Sequence, residues 1–111
     1  MAGILKRLAG PVAMSATLTT NVYNPAANTF AEMNHIHVVN KTAGVVTFSL
    51  WIGATGANAA GTEFFNAQGV AANSVYDWYG RLRMDVADFL VGGASVATSL
   101  TIEIEGQLYA L

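Results

Sequence analysis

Two histidines placed two positions apart are the residues of this chain best suited to chemistry. His35 and His37 are the only histidines among its 111 residues, and they lie in the run NHIHVVN. If this run is a β-strand, both rings point to one face, which is how a strand presents two nitrogen ligands to a metal ion. A metal site of this kind needs at least three protein ligands.

The sequence does not place a third ligand beside these histidines. No Glu follows His37 within a few residues, as it does in the known strand-based His-x-His metal sites, and Glu32 has the wrong parity to share their face. We therefore predict no metal site and interpret the pair as a surface or interface feature. A site completed in three dimensions by a carboxylate such as Glu63 remains the alternative.

The sequence contains no residue pattern that is typical of other kinds of catalytic site. The chain contains no cysteine, which excludes disulfides and thiolate metal sites, and it contains no G-x-S-x-G motif for a nucleophilic serine. Glu103 and Glu105 share a face of one strand pattern, but such a carboxylate pair is usually only solvated. We predict a protein that is not an enzyme and binds no cofactor.

The composition is unusually poor in charge. Charged residues make up 11% of the chain, against about 25% in typical soluble domains. Five Lys and Arg residues against seven Asp and Glu leave no basic patch for a nucleic acid. The chain contains no stretch of roughly 18 uninterrupted apolar residues, so the sequence predicts no membrane-spanning helix. The composition therefore favours a protein that buries much of its surface in an assembly, most simply a homo-oligomer.

Period-two alternation of apolar and polar residues dominates the chain and predicts β-strands. The segment ATGANAAG, residues 54–61, is predicted to be a loop. Strands are predicted at residues 17–23, 33–40, 44–53, 63–68, 74–84, 88–92 and 99–109. This pattern predicts an all-β fold, a single antiparallel β-sandwich of about seven to eight strands that resembles a jelly roll.

An N-terminal arm is expected to precede the sandwich. We assign residues 1–16 to the arm and residues 17–111 to the sandwich; a frayed terminus is the alternative. The candidate anchoring residues are the apolar Ile4, Leu5 and Leu8, with Lys6 and Arg7 to meet acidic groups on a partner. Deletion of residues 1–12 is then expected to abolish attachment and leave the fold intact.

Four charged residues and two aromatic residues are predicted to point outward from the strands. Arg81 and Arg83 line one strand, and Glu103 and Glu105 line another. They would pair across neighbouring strands or, if the strands are apart, between subunits; unpaired surface charge is the alternative. The outward aromatic residues are Trp51 and Tyr79, which would stack on a sugar or anchor a protein contact unless they only border the core.

Three runs carry a resemblance to a known group of proteins. They are HIHVVNKTAGVVTFSLWIGATG, NSVYDWYGRLRMDVADFLVGGAS and LTIEIEG. Together they resemble small β-sandwich virion proteins of tailed bacteriophages, in which a V-x-N segment leads through a hairpin into a T-F-x-L-x-I-G strand. The matching positions are 38–40, 47–53, 82–92 and 100–106.

The resemblance implies a structural part of a phage particle, located in the virion, without catalytic residues. We expect a capsid cement or decoration protein that forms symmetric oligomers, such as trimers, and contacts the major capsid protein or other virion proteins. A neck or tail protein is the alternative within this class. A carbohydrate-binding module that uses Trp51 and Tyr79 is an alternative outside it, and a metal-dependent enzyme at the two histidines comes last.

Overall fold

The computed structural model describes residues 3–53, 58 and 61–111, and these residues form a β-sandwich. The described strands are β1 (Ile4–Ala13), β2 (Asn21–Tyr23), β3 (Thr29–Asn40), β4 (Val46–Gly53), β5 (Glu63–Val70), β6 (Ser74–Met84), β7 (Phe89–Ala94) and β8 (Leu100–Ala110). Only Asn58 and Gly61 of the predicted loop at 54–61 belong to the described residues.

The strands build two antiparallel sheets of four strands each. The first sheet has the order β1-β8-β3-β6 and the second sheet the order β2-β7-β4-β5. Consecutive strands change sheet at every step except from β4 to β5, which is the strand order of an eight-stranded jelly roll. The predicted all-β antiparallel sandwich of seven to eight strands is confirmed.

The core lies between the inner faces of the two sheets, where alternate residues of each strand meet. Ile36 of β3 and Ile104 of β8 are fully buried on the first sheet, and Phe48 and Leu50 of β4 are buried on the second. Each such side chain contributes about 1.5–3 kcal/mol by leaving water. The polar residues between them lie on the outer faces, so burial of the apolar set fixes which side chains face solvent.

The structure places the predicted N-terminal arm inside the sandwich. β1 runs antiparallel to β8, from Ile4 opposite Leu108 to Ala13 opposite Thr101. Residues 1–16 therefore contain an edge strand of the first sheet, and the predicted boundary between residues 16 and 17 does not separate an arm from the body. Deletion of residues 1–12 would expose the edge of β8, so the expectation that this deletion leaves the fold intact is wrong.

The connection from β3 to β4 is also different from the hairpin that the resemblance implies. The two strands belong to different sheets, so residues 41–45 form a corner that carries the chain from one sheet to the other. The buried side chain of Asn40 organises this corner. The described part of the chain contains no helix that is long and apolar enough to span a membrane.

Candidate functional site

The outer face of the first sheet brings both histidines onto one carboxylate. His37 of β3 lies directly opposite Asp77 of β6, and His35 lies opposite Tyr79. Nδ1 of His37 lies 2.6 Å from Oδ1 of Asp77, and Nε2 of His35 lies 2.7 Å from the same oxygen. We call His35, His37 and Asp77 the histidine–aspartate cluster.

A β-bulge in β3 sets the orientation of the histidines. Buried Met33 is followed by buried Ile36, a step of three positions instead of two, because the register shifts between Met33 and His35. The extra residue, Asn34, donates through its side chain to Glu32 Oε1 at 2.8 Å. The bulge therefore puts Glu32 on the same outer face as His35, so its exclusion on grounds of parity was wrong.

Two further residues, Tyr79 and Glu105, lie close to the ring of His35. The ring of Tyr79 stacks on it in parallel, with centroids 4.4 Å apart and an angle of 2° between the planes. Oε1 of Glu105, on β8, lies 3.7 Å from Nδ1 of His35. The ring thus has one nitrogen towards Asp77 and the other towards Glu105, which restricts its rotation.

The cluster is half-buried, and its two histidines stabilise the charge of the Asp77 carboxylate. The side chains of His35, His37 and Asp77 are 22%, 33% and 28% exposed. Hydrogen bonds from His37 and, to a smaller extent, from His35 lower the pKa of the Asp77 carboxyl below its ordinary value, because they stabilise the charged form. Asp77 is therefore an ionised group with two imidazoles directed at it.

Glu32 and Glu63, the carboxylates that were considered as third ligands from the sequence, have partners outside the cluster. Glu32 accepts from the Arg81 guanidinium, with Nη2 at 3.1 Å from Oε2. Glu63 lies on β5 of the second sheet and accepts from the main-chain N–H of Gly61. The third group of the cluster is Asp77 instead. No metal site was predicted because the sequence placed no third ligand beside the histidines, and Asp77 supplies that ligand.

The predicted arginine and glutamate pairs do not form across neighbouring strands. Strand β3 lies between β6 and β8, so Arg83 on β6 cannot reach Glu103 on β8. Glu103 Oε2 lies 3.2 Å from Nε of Arg7 on β1, and Arg83 Nη2 lies 2.8 Å from Oδ1 of Asp85. The Arg83–Asp85 pair is exposed on both sides, and the Arg7 side of the other pair is exposed; ion pairs at such positions contribute little to stability.

The two aromatic residues predicted to point outward have opposite environments. Tyr79 is 72% exposed, as predicted, whereas Trp51 is only 8% exposed. Trp51 lies opposite Val91 in the middle of the second sheet, and Val91 is fully buried. This side of the sheet is therefore covered at its centre, and Trp51 is not available to stack on a sugar.

The predicted anchoring residues of the N-terminal segment are divided between surface and core. Ile4 and Leu5 are 68% and 80% exposed, and Lys6 and Arg7 are exposed beside them. Leu8 instead packs against the hydrophobic core. The two most exposed apolar side chains of β1 are thus at its start, and Val12 near its end is 50% exposed.

Comparison with known proteins adds no relatives. No family model matches this chain, and no curated protein and no solved structure is significantly similar to it. The resemblance to phage virion proteins therefore stays a prediction, and the function has to be argued from the fold and its surfaces.

Proposed function

We propose that the protein is a non-enzymatic structural component of a bacteriophage virion, acting through contacts with copies of itself and with other virion proteins. A capsid cement or decoration protein is the form we favour, and a neck or tail protein is the alternative. The observation that carries the proposal is the exposed apolar start of β1 at an edge of the first sheet.

The start of β1 has the properties of a contact surface. Among the described strands β1 pairs only with β8, so its other side presents main-chain N–H and C=O groups for another strand. Ile4 and Leu5, two large apolar side chains, are mostly exposed there. Soluble proteins usually protect such an edge with charges, proline or bulges. Lys6 and Arg7 supply charge at the start of β1, so it is the exposed apolar pair Ile4 and Leu5, not a bare edge, that favours a partner.

The second half of β1 is protected in this way, which limits the proposed contact to its start. Register shifts lie between Arg7 and Ala9 and between Ala9 and Val12. Pro11 has no N–H to donate to another strand. The contrast within one strand supports a contact over residues 4–7, with a second copy of this chain as the simplest occupant.

Composition and fold support the same proposal. The low content of charged residues, 11%, suits a subunit whose surface is largely covered in an assembly. The jelly roll is a common fold of viral capsid proteins, but lectins and cupins share it, so the fold alone does not decide the function. The carbohydrate-binding alternative is weakened because Trp51 is buried.

A pair of matched substitutions tests the contact at the β1 edge. Leu5→Lys places a charge at the proposed contact, and Val75→Lys places the same charge on β6, the opposite edge strand, where Val75 is 49% exposed. In analytical ultracentrifugation we expect the wild type and Val75→Lys to form the same oligomer and Leu5→Lys to dissociate at least tenfold more readily. A monomeric wild type, or an equal effect of both substitutions, would contradict the proposed contact.

Immunogold labelling of intact particles with an antibody to this chain tests the virion assignment. Gold scattered over the head supports a cement or decoration protein. Gold confined to one vertex or to the tail supports the neck or tail alternative. Purified particles without label, alongside labelled free protein in the same lysate, would refute a place in the virion.

A further inference from the structure

We propose that His35, His37 and Asp77 form a binding site for a divalent transition-metal ion of the zinc type. The inference does not depend on the proposed function, because a metal ion on the outer face of the sheet is compatible with any role of the sandwich. It rests on the donor atoms, on their support by neighbouring residues and on their access to solvent.

The donor set is one that zinc and related ions use. His35, His37 and Asp77 each offer one ligand atom, a ring nitrogen or a carboxylate oxygen, and these atoms lie within 4.8 Å of one another. Two imidazoles and one carboxylate are the protein ligands of many zinc sites that keep an open coordination position, and imidazole also suits copper and nickel. No cysteine is present to favour a softer ion.

The ligand atoms need only a small movement to accept an ion. Each histidine nitrogen lies 2.6–2.7 Å from the Asp77 oxygen, whereas ligands at about 2.0–2.2 Å from a tetrahedral zinc ion are roughly 3.3 Å apart. A rotation of side chains suffices to open this gap. The main chain already holds the three residues together, since His37 and Asp77 are direct partners across β3 and β6.

A carboxylate lies near the second nitrogen of His35, at the distance of an ion pair. A histidine that binds a metal commonly donates its other N–H to a carboxylate, which fixes the tautomer and the ring orientation. Glu105 Oε1 is 3.7 Å from Nδ1 of His35, and Tyr79 stacks on the ring. Glu105 is therefore assigned as a positioning residue.

Metal binding would exchange one set of hydrogen bonds for another. Ionised Asp77 can only accept, so in the metal-free state the nitrogens of His35 and His37 that face it carry the protons. When these nitrogens bind the ion, each neutral ring carries its proton on the other nitrogen. In His35 that proton then points towards Glu105, whose Oε1 lies 3.7 Å from Nδ1 and has to move closer to accept a hydrogen bond.

The charges around the cluster favour a cation. Glu105 lies opposite His35 and Glu103 lies opposite His37 on β8. Two cationic groups of this sheet are paired with carboxylates, Arg7 with Glu103 and Arg81 with Glu32. The half-exposed ligands leave room for water or for a side chain of a neighbouring molecule to complete the coordination.

Titration of the full-length chain with cobalt and zinc tests the site. The protein is prepared without a histidine tag and stripped with a chelator. We expect the wild type to bind one Co²⁺ per chain with visible d–d absorption, and Zn²⁺ to displace it. Thermal unfolding followed by circular dichroism should show a rise in Tm of several degrees with saturating Zn²⁺.

Matched variants locate the ion. His37→Gln and Asp77→Asn should weaken binding by more than the roughly 10–100-fold expected for loss of a supporting residue, and Glu105→Gln should weaken it by about 10-fold or more while the fold is retained. Asp85→Asn, the same change at an exposed carboxylate outside the cluster, should bind like the wild type.

Two results would overturn the assignment. One is a folded wild-type chain that gives neither saturable Zn²⁺ binding nor Co²⁺ absorption. The other is undiminished binding in His37→Gln or Asp77→Asn. If one of these variants does not fold, the other variant and the wild-type titration still decide the question.

Discussion

Replacement of Asn40 by alanine should destabilise the sandwich by about 3 kcal/mol. The Asn40 side chain is 1% exposed and uses its whole carboxamide at the corner between the sheets. Nδ2 donates to the carbonyl oxygens of Gly44 at 2.9 Å and Val70 at 3.0 Å. Oδ1 accepts from the main-chain N–H and the hydroxyl of Thr42 at 2.9 and 2.7 Å.

The magnitude follows from the burial of these bonds. A hydrogen bond contributes about 0.5–1.5 kcal/mol net, and a buried group left without a partner costs about 1–3 kcal/mol. The bond to Val70 is fully buried, whereas the other three are partly buried, so water can replace part of what alanine removes. Because water replaces part of these bonds, we expect the free energy of unfolding to fall by about 3 kcal/mol. This is a large part of the roughly 5–15 kcal/mol typical of a domain.

Urea unfolding followed by tryptophan fluorescence measures the effect. Thr42→Val removes the hydroxyl that contacts Asn40 Oδ1 and the Gly44 oxygen but keeps the main-chain donor, and it should cost about 1 kcal/mol. Asn40→Asp keeps the acceptor for Thr42 but turns a second acceptor towards the Gly44 and Val70 carbonyls, so it should cost at least as much as alanine. A change below about 0.5 kcal/mol for Asn40→Ala would refute the view that this side chain holds the corner.

Three further substitutions test separate features of the structure. Hydrogen bonds from Asn34 and, to a smaller extent, from Arg81 lower the pKa of Glu32 in the folded protein. The ionised Glu32 therefore stabilises the fold at pH values above its pKa in the unfolded chain. This contribution disappears as the pH falls through the pKa of Glu32 in the folded protein. Arg81→Gln should raise the Glu32 pKa towards its ordinary value in an NMR titration, and an unchanged pKa would contradict the ion pair. Gly106→Ala should strongly lower the urea midpoint, because the added Cβ would collide with the Glu32 main-chain oxygen; an unchanged midpoint would show that the two strands are further apart. Trp51→Ala should cost about 3–5 kcal/mol, and a loss near zero in the same urea experiment would mean that this side chain is exposed.

Period-two alternation was sufficient to predict the strands whose two faces differ. β4, β6 and β8 were predicted almost to their observed bounds, because one face of each supplies apolar side chains to the core. β1 was missed because ILKRLAGPVA does not alternate. A strand at a sheet edge, interrupted by register shifts, buries too little of either face to leave that pattern.

The candidate site required information that alternation does not contain. Asp77 lies two positions from Tyr79 and therefore on the same outer face of β6, but the sequence does not say that β6 lies beside β3. Glu32 was excluded by counting positions, and the bulge at Asn34 invalidates the count. Strand order and bulges depend on how the sheets pack, so these contacts emerge only at the level of the whole fold.

The metal ligands on β3 and β6 and the contact at the start of β1 lie on one sheet with β8 between them, and Glu105 of β8 lies directly opposite Arg7 of β1. The ligand atoms themselves are separated from Leu5 by this strand, so the two surfaces can be tested separately. Leu5 is on β1 and Asp77 is on β6, with β8 and β3 between them. Leu5→Lys should therefore change self-association and leave Co²⁺ binding intact, and Asp77→Asn should do the reverse. If Asp77→Asn also weakened self-association, the open coordination positions of the metal would be filled by a neighbouring copy, and the β6 edge would be a second contact of the assembly.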